Sequence, residues 1–167
     1  MVQPILNRRS IRLAQPIYVG GSFFVTICTR DRARILGSVM QGMVALSPVG
    51  CLVREEWLRT PVIRLGVTLG EWVIMPDHVH GIVHLPHADW AGALPEDRPG
   101  YLKRSLSSLI GGFKSACTRR YIRLSHGTPG SMWQRNYYER VIRDQEELDL
   151  IAAYIISNPI RWATRPA

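Results

Sequence analysis

Two histidines separated by one residue, His78 and His80, are the side chains of this sequence best suited to holding a metal ion. They open a run that ends at Leu85 and whose β-branched and apolar residues predict a strand. Alternate side chains of a strand point to the same face, so the two imidazoles share a face, with Cα atoms about 7 Å apart. At that spacing they can converge on one divalent ion. His84 shares the face but lies about 13 Å from His80, too far to join them.

The H-x-H pattern does not by itself establish a metal site, because two solvent-facing histidines on a strand produce the same pattern. The zinc deaminase signature, which combines H-x-E with C-x-x-C, is absent, and so is H-E-x-x-H. The cysteines Cys28, Cys51 and Cys117 are widely spaced, which argues against both a disulfide framework and a structural zinc finger.

Tyr154 and Asn158, four residues apart in the last predicted helix, form a second candidate group. The helix is predicted to begin at the N-cap Asp144 and to end near Asn158, because Pro159 disfavours helical geometry in the residue before it. Residues four apart lie on one flank of a helix, so this phenol and carboxamide can face an adjacent site. Taken alone, the helix is explained more simply by a boundary tyrosine and a C-capping asparagine.

The elements that must position these groups follow the order β-α-β-β-α-β-α. Strands are predicted at 22–29, 71–75, 78–85 and 132–142, and helices after Ser47, at 101–123 and from Asp144. This order predicts an α+β, ferredoxin-like (split β-α-β) antiparallel sheet with helices on one face. The histidine pair then lies on a central strand and the tyrosine on a late helix. A basic N-terminal arm, residues 1–21, precedes a single domain at 22–167.

Positive charge is concentrated in one quarter of the chain. Residues 101–143 contain nine basic residues and one acidic residue, a net +8, whereas the remaining 12 basic and 12 acidic residues cancel. Such an excess predicts a polyanionic partner. Nucleic acid is favoured over membrane, because no apolar run approaches the roughly 20 residues that cross a bilayer. The predicted DNA-contacting residues are Arg8, Arg9, Arg12, Lys103, Lys114, Arg119, Arg123, Trp133, Arg135 and Tyr137.

Five motifs, in order along nearly the whole chain, together resemble the single-tyrosine HUH transposases and, within them, the REP-associated tyrosine transposases of bacteria. They are RRSIRL (8–13), FFVTICT (23–29), MPDHVHG (75–81), WQRNYY (133–138) and YIISNP (154–159). The resemblance implies that His78, His80 and Asn158 hold a catalytic divalent metal, Mg²⁺ or Mn²⁺. It implies that Tyr154 is a nucleophile that cleaves and transfers single-stranded DNA through a 5′-phosphotyrosine, leaving a free 3′-hydroxyl.

The same resemblance implies short palindromic hairpin DNA as partner, a cytoplasmic, nucleoid-associated location and a monomeric or homodimeric state. Alternatives remain at this stage. On chemistry alone Tyr137 and Tyr138 compete as nucleophiles, although a strand beside Trp133 and Arg135 suits base stacking and phosphate contact better. A non-catalytic single-stranded nucleic-acid-binding module of ferredoxin-like fold also fits. A small-substrate metallohydrolase fits the histidines but leaves the basic block unexplained.

Overall fold

The computed structural model describes residues 20–86, 105–127 and 131–164, which form an α/β structure built on an antiparallel sheet. In chain order the elements are β1 (Gly21–Cys28), a short 3₁₀ turn (Arg30–Arg32), β2 (Gly37–Met40), β3 (Met43–Leu46), α1 (Pro48–Leu58), α2 (Thr60–Ile63), β4 (Thr68–Met75), β5 (His78–Leu85), α3 (Leu106–Leu124), β6 (Tyr138–Ile142) and α4 (Gln145–Ala163). Most of the predicted arm lies outside the described residues, but its last residue, Gly21, already belongs to β1.

The main sheet has the strand order β4-β5-β1-β6, with every neighbouring pair antiparallel. The four predicted strands are confirmed, although β6 is shorter than the predicted run of 132–142, from which Trp133 forms only an isolated bridge to Thr29. β1 and β5 occupy the two central positions. Their register sets Thr26 opposite His80 and Cys28 opposite His78. Because β5 also pairs with β4, the strand that carries the histidines is hydrogen-bonded on both sides.

Helices cover both faces of the sheet, and the prediction of helices on one face is wrong. On one face, α1 and α3 pack through residues such as Trp57 and Phe113 against the side chains of β1 that include Val25. On the other, α4 packs through Ile155 against Phe24 and its neighbours. The physical reason is that the second face also carries large apolar side chains, Phe24 of β1 and Ile82 of β5, which require a cover.

A small hairpin, β2–β3, is inserted between β1 and α1 and was not predicted from the sequence. Its two-residue turn places Gln41 and Gly42 at φ of 50° and 76°. Positive φ at both turn positions matches the twist of a tight hairpin. Glutamine is an uncommon residue for that conformation, and strands of four residues carry little periodic signal, which explains the omission.

Of the two long helices, α4 differs from the prediction at its C-terminal end. α3 begins at Leu106, where the Ser105 hydroxyl caps it by accepting from the Ser108 backbone N–H, and the start predicted near Tyr101 lies outside the described residues. α4 continues through Pro159 to Ala163 rather than ending near Asn158. Proline removes one backbone hydrogen bond from a helix interior, and tertiary contacts of the final turn offset this loss. No helix of the described ranges is long and apolar enough to cross a membrane.

Gly81, directly after the histidine pair, lets α1 lie close against the sheet. The Trp57 ring is fully buried above it, and a Cβ added to Gly81 would overlap that ring. Close packing on a strand that carries site residues depends here on the missing side chain.

We therefore expect Gly81→Ala to lower the free energy of unfolding by about 1–3 kcal/mol, the usual effect of overpacking a core. Denaturant unfolding followed by tryptophan fluorescence measures this. Gly111→Ala is the matched control, because a Cβ there meets no atom within 4 Å. Gly111 lies inside α3, so alanine should stabilise by up to about 1 kcal/mol. Equal stability of Gly81→Ala and the parent would contradict the packing argument.

Candidate active site

His78 and His80 converge at the face of the sheet that α4 covers. Their side chains are almost completely buried, and their Nε2 atoms lie 3.0 Å apart. The sequence indicated a shared face, and the structure adds that the two rings point at one position. His84, on the same face, is bound instead to Ser22, whose Oγ lies 2.7 Å from its Nδ1. It takes no part in the pair.

Each histidine of the pair is oriented through its Nδ1 atom. Asp77 Oδ1 lies 2.5 Å from Nδ1 of His78, and Thr26 Oγ1 lies 2.8 Å from Nδ1 of His80. When each Nδ1 carries the ring proton and donates it to its oxygen partner, both Nε2 atoms present lone pairs. Two lone pairs at 3.0 Å repel unless a proton or a cation lies between them. The arrangement therefore favours binding of a positive species at that position.

Asp77 is held as an acceptor for His78. Burial raises the pKa of Asp77, but the hydrogen bond with His78 and the positive charges of His78, Arg32 and Arg34 together lower it below its usual value. Arg32 contributes directly, with Nε 3.0 Å from Asp77 Oδ2. Both carboxylate oxygens are thus occupied by neighbours. Asp77 orients His78 and has no oxygen left over for the position between the two histidines.

The separation of the histidine nitrogens fits a divalent ion of octahedral preference. Adjacent ligands at about 2.1 Å from such an ion are about 3.0 Å apart, which is the Nε2–Nε2 separation found between His78 and His80. Within the described ranges no group of three His, Cys, Asp or Glu side chains is arranged so that all three could hold one metal ion. A third side-chain ligand would therefore have to be of another type, and the amide of Asn158 is the sequence candidate.

α4 brings three aromatic and polar side chains, spaced by four residues, over the histidine pair. Tyr154 Oη lies 3.5 Å from His80 Nε2, and the Trp162 ring lies 5.8 Å from that of His78. Asn158 is buried on α4 between them, one helical turn from each, so helix geometry places it on the same flank. The structure thus brings Tyr154 to His78 and His80, and Asn158 shares the flank of α4 that carries Tyr154.

Several residues of this group escaped sequence reasoning. Thr26 was not singled out, because only the β1–β5 register shows that it lies opposite His80. Phe24, stacked on His80 with centroids 5.3 Å apart and edge-on to Tyr154 at 6.2 Å, was assigned only to a strand. Trp162 carried a usable signal, since it extends the four-residue spacing of Tyr154 and Asn158, but the predicted helix end at Pro159 hid it.

Five of the six predicted DNA-binding residues that lie in the described ranges, Trp133 among them, line a cleft of about 590 Å³ between α3 and the segment 131–137. Lys114, Arg119, Arg135 and Tyr137 contribute to its walls. Lys114 also links α3 to the segment 131–137, because its ammonium group donates hydrogen bonds to the Gln134 and Arg135 carbonyls. Burial lowers the pKa of Lys114, against a smaller rise caused by Cys28.

The structure changes the interpretation of three candidates. Trp133 is 2% exposed and packs against Phe113, so it belongs to the core and cannot stack on a base without local unfolding. Tyr137 precedes β6 rather than lying within it, and its hydroxyl lies 3.1 Å from Ser107 Oγ. Arg123 is exposed on α3 but does not line the cleft. Arg8, Arg9, Arg12 and Lys103 lie outside the described residues.

Comparison with known proteins identifies the relatives of the chain. No family model matches the sequence. An uncharacterized protein of Haemophilus influenzae is 33% identical over 169 residues, covering 95% of this chain and 91% of that protein. A second protein of the same organism, named "Putative REP-associated tyrosine transposase", is 30% identical over 88 residues, or 53% of this chain and 47% of that protein.

A solved structure of a REP-associated tyrosine transposase bound to a REP hairpin shares the fold. Its TM-score is 0.55 at 20% sequence identity, covering 89% of this chain and 72% of that one. The named relative matches about half of the chain and the solved structure has the same fold, so the chain is similar to REP-associated tyrosine transposases. The resemblance carried by the five sequence motifs is thereby confirmed, whereas the roles of the individual site residues stay predictions.

Because Thr26 orients His80, we expect Thr26→Val to weaken Mn²⁺ binding by about 10- to 100-fold, as losses of such outer partners do. Valine keeps the shape and removes the hydroxyl. Calorimetric titration of the purified protein with Mn²⁺ measures the change. Ser22→Ala is the control, because it removes the same kind of hydroxyl from His84, outside the pair. Unaltered Mn²⁺ affinity in Thr26→Val would show that the contact does not support a metal site.

Proposed function

We propose that this protein cleaves and rejoins single-stranded DNA, with Tyr154 as the nucleophile. The observation that carries the proposal is the position of the Tyr154 hydroxyl, 3.5 Å from Nε2 of the buried, oriented His80. The similarity to REP-associated tyrosine transposases supports a transposase-type reaction. By contrast, Tyr138, a competing candidate on chemistry alone, is 57% exposed on β6, and Tyr137 faces the α3 cleft.

A divalent ion, Mg²⁺ or Mn²⁺, would be held by His78, His80 and Asn158. When bound, such an ion neutralises charge on a phosphate and favours the phenolate form of a nearby tyrosine. The orientation of both imidazoles through Nδ1 supports this assignment. The position of Asn158 on α4, one helical turn from Tyr154 on the same flank, supports it as the third ligand.

The proposed reaction is a transesterification. The Tyr154 hydroxyl loses its proton to solvent and its oxygen attacks the scissile phosphorus, while the bond from phosphorus to the 3′-oxygen breaks. The departing 3′-oxygen takes up a proton, and the 5′-phosphate remains on the tyrosine. Bond energy is conserved in the phosphotyrosine, so a 3′-hydroxyl can attack it later and rejoin the strand without a nucleotide cofactor.

Side chains around Tyr154 restrict its ring to one attack geometry. Phe24 contacts the ring edge-on, and the His80 ring centroid lies 5.4 Å from its own. A nucleophile held between two rings loses little further freedom when the phosphate arrives. The tyrosine is nevertheless only half-buried, so a DNA strand can reach it.

The substrate class follows from charge and from the relative's ligand. The cleft along α3 contains Arg119 and Arg135 as exposed cations, whereas Arg120 is paired with Glu55 and Glu56. A groove with unpaired arginines suits a phosphate backbone. Because the related solved transposase is bound to a REP hairpin, we propose hairpin DNA with a single-stranded flank as the ligand.

The strand order also supports the ferredoxin-like arrangement that the order of elements in the sequence predicts. If the inserted hairpin β2–β3 is set aside, β1, β4, β5 and β6 correspond to the four strands of a split β-α-β fold. The observed order β4-β5-β1-β6 is the one that this topology requires. The histidine pair then lies on a central strand, β5.

The decisive test is covalent capture of DNA. We expect Tyr154→Phe to fold and bind labelled hairpin DNA normally but to form no covalent adduct, because only the attacking oxygen is removed. Denaturing electrophoresis after incubation with Mg²⁺ measures the adduct, and excess chelator should abolish it in the parent protein.

Tyr138→Phe is the matched control for this experiment, since it removes a hydroxyl from a nearby exposed tyrosine and should preserve the adduct. Adduct formation by Tyr154→Phe but not by Tyr138→Phe would transfer the nucleophile to Tyr138. Cleavage without any tyrosine adduct would indicate a plain nuclease. Binding with neither cleavage nor adduct would favour the non-catalytic binding module.

A second prediction concerns the cleft. Replacing Arg119 and Arg135 together with glutamine should weaken hairpin DNA binding and reduce the slope of log affinity against log salt by about 2, roughly one per lost phosphate contact. Fluorescence anisotropy at several salt concentrations measures the slope. Arg120→Gln, on the same helix but already ion-paired, should leave the slope unchanged. Equal slopes for the double variant and the parent would move the DNA surface away from this cleft.

A further inference from the structure

Arg161 lies over the ring of the proposed nucleophile. Its guanidinium carbon is 5.7 Å from the Tyr154 ring centroid, and the residue is exposed at the surface of α4. The two residues are seven apart, two helical turns along one face. A guanidinium stacked on a ring keeps its N–H groups directed outward in its own plane, where they can donate to a ligand.

Arg161 forms no ion pair with any carboxylate of the described residues. Asp77, the carboxylate of the site, is occupied by His78 and Arg32. A second cation, Arg34, lies over the Trp162 ring at 5.5 Å. Positive charge therefore accumulates above the histidine pair, where an anionic ligand would be attracted.

We propose that Arg161 is a catalytic residue that donates hydrogen bonds to the non-bridging oxygens of the scissile phosphate while Tyr154 attacks it. The inference rests on the proposed function. The planar guanidinium matches two phosphate oxygens, and charge on those oxygens is what the transition state must stabilise. Arg161 remains protonated throughout, so the bonds formed and broken are those of the transesterification itself.

A purely structural stack of Arg161 on Tyr154 predicts different behaviour. An exposed cation–π contact stabilises by only about 0.5–1 kcal/mol. Its loss would slightly lower the unfolding temperature and would alter reaction at every phosphate linkage equally. A role at the phosphate instead makes the effect of the substitution depend on the charge of the reacting linkage.

The experiment compares two linkages under single-turnover conditions at saturating DNA. A labelled REP-type hairpin is first cleaved by the parent protein to locate the scissile phosphate, and the same DNA is then made with a neutral methylphosphonate there. With the natural phosphate, Arg161→Gln should lower the adduct rate by about 100-fold, as the loss of one charge-stabilising donor does. With the methylphosphonate, the same variant should lose less than about 10-fold, because the charge is absent.

Two further variants keep the result interpretable. Arg161→Lys preserves the charge but not the planar pair of donors, and should give an intermediate rate. Should Arg161→Gln fail to fold, the lysine variant on the two linkages carries the same comparison. Arg54→Gln removes an exposed arginine from α1, on the opposite face of the sheet, and should react like the parent protein.

The outcomes separate the two proposals. No adduct from the parent protein on any linkage would overturn the proposed function and this role together. Adduct formation by the parent with an unchanged rate in Arg161→Gln would overturn only the role of Arg161. Equal losses on phosphate and methylphosphonate would also overturn it, since Arg161 would then act on folding or on the tyrosine ring rather than on the phosphate.

Discussion

The antiparallel pairing of β1 with β5 places Thr26 opposite His80, and the site depends on this register. A slip of one residue would turn every side chain of β5 to the other face, moving both histidines into the core around Trp57. The same pairing positions Phe24 beneath Tyr154 and next to His80. Strand register therefore determines how the imidazoles are oriented, what supports the tyrosine ring and the surface against which α4 packs.

The two faces of the sheet have different roles, one in the main core and one at the candidate site. One face carries the large core with α1 and α3, where Gly81 admits the Trp57 ring, and it holds the histidine strand in place. The other face carries a smaller apolar cluster, through which α4 packs against Phe24 and Ile82 beside the histidines. At the edge of the sheet, Tyr137 faces the α3 cleft, whereas Tyr138 lies near Phe24 on the site's face. A DNA strand that follows this edge would pass from the cleft to Tyr154, the proposed nucleophile.

Ion pairs in the folded protein determine which basic side chains are neutralised by a carboxylate. The basic block of 101–143 is uniform in sequence, yet in the fold Arg120 pairs with Glu55 and Glu56, and Arg140 pairs with Glu147. Arg119 and Arg135, which form no ion pair with the residues that the structure describes, lie along the cleft. Arg161 comes from outside the block, so a count of charges along the sequence could not have indicated its place above the site.

Local periodicity in the sequence determined which residues share a face. The alternation of β5 grouped His78 with His80, and the spacing of α4 grouped Tyr154 with Asn158, because side-chain direction repeats regularly in strands and helices. Only the tertiary structure decided that the two groups meet, that Thr26 and Asp77 orient the imidazoles, and that Trp133 is buried. It also carried α4 past Pro159, placing Trp162 on His78 and Arg161 over Tyr154. Such outcomes depend on strand register and on packing between elements distant in the chain, neither of which local sequence contains.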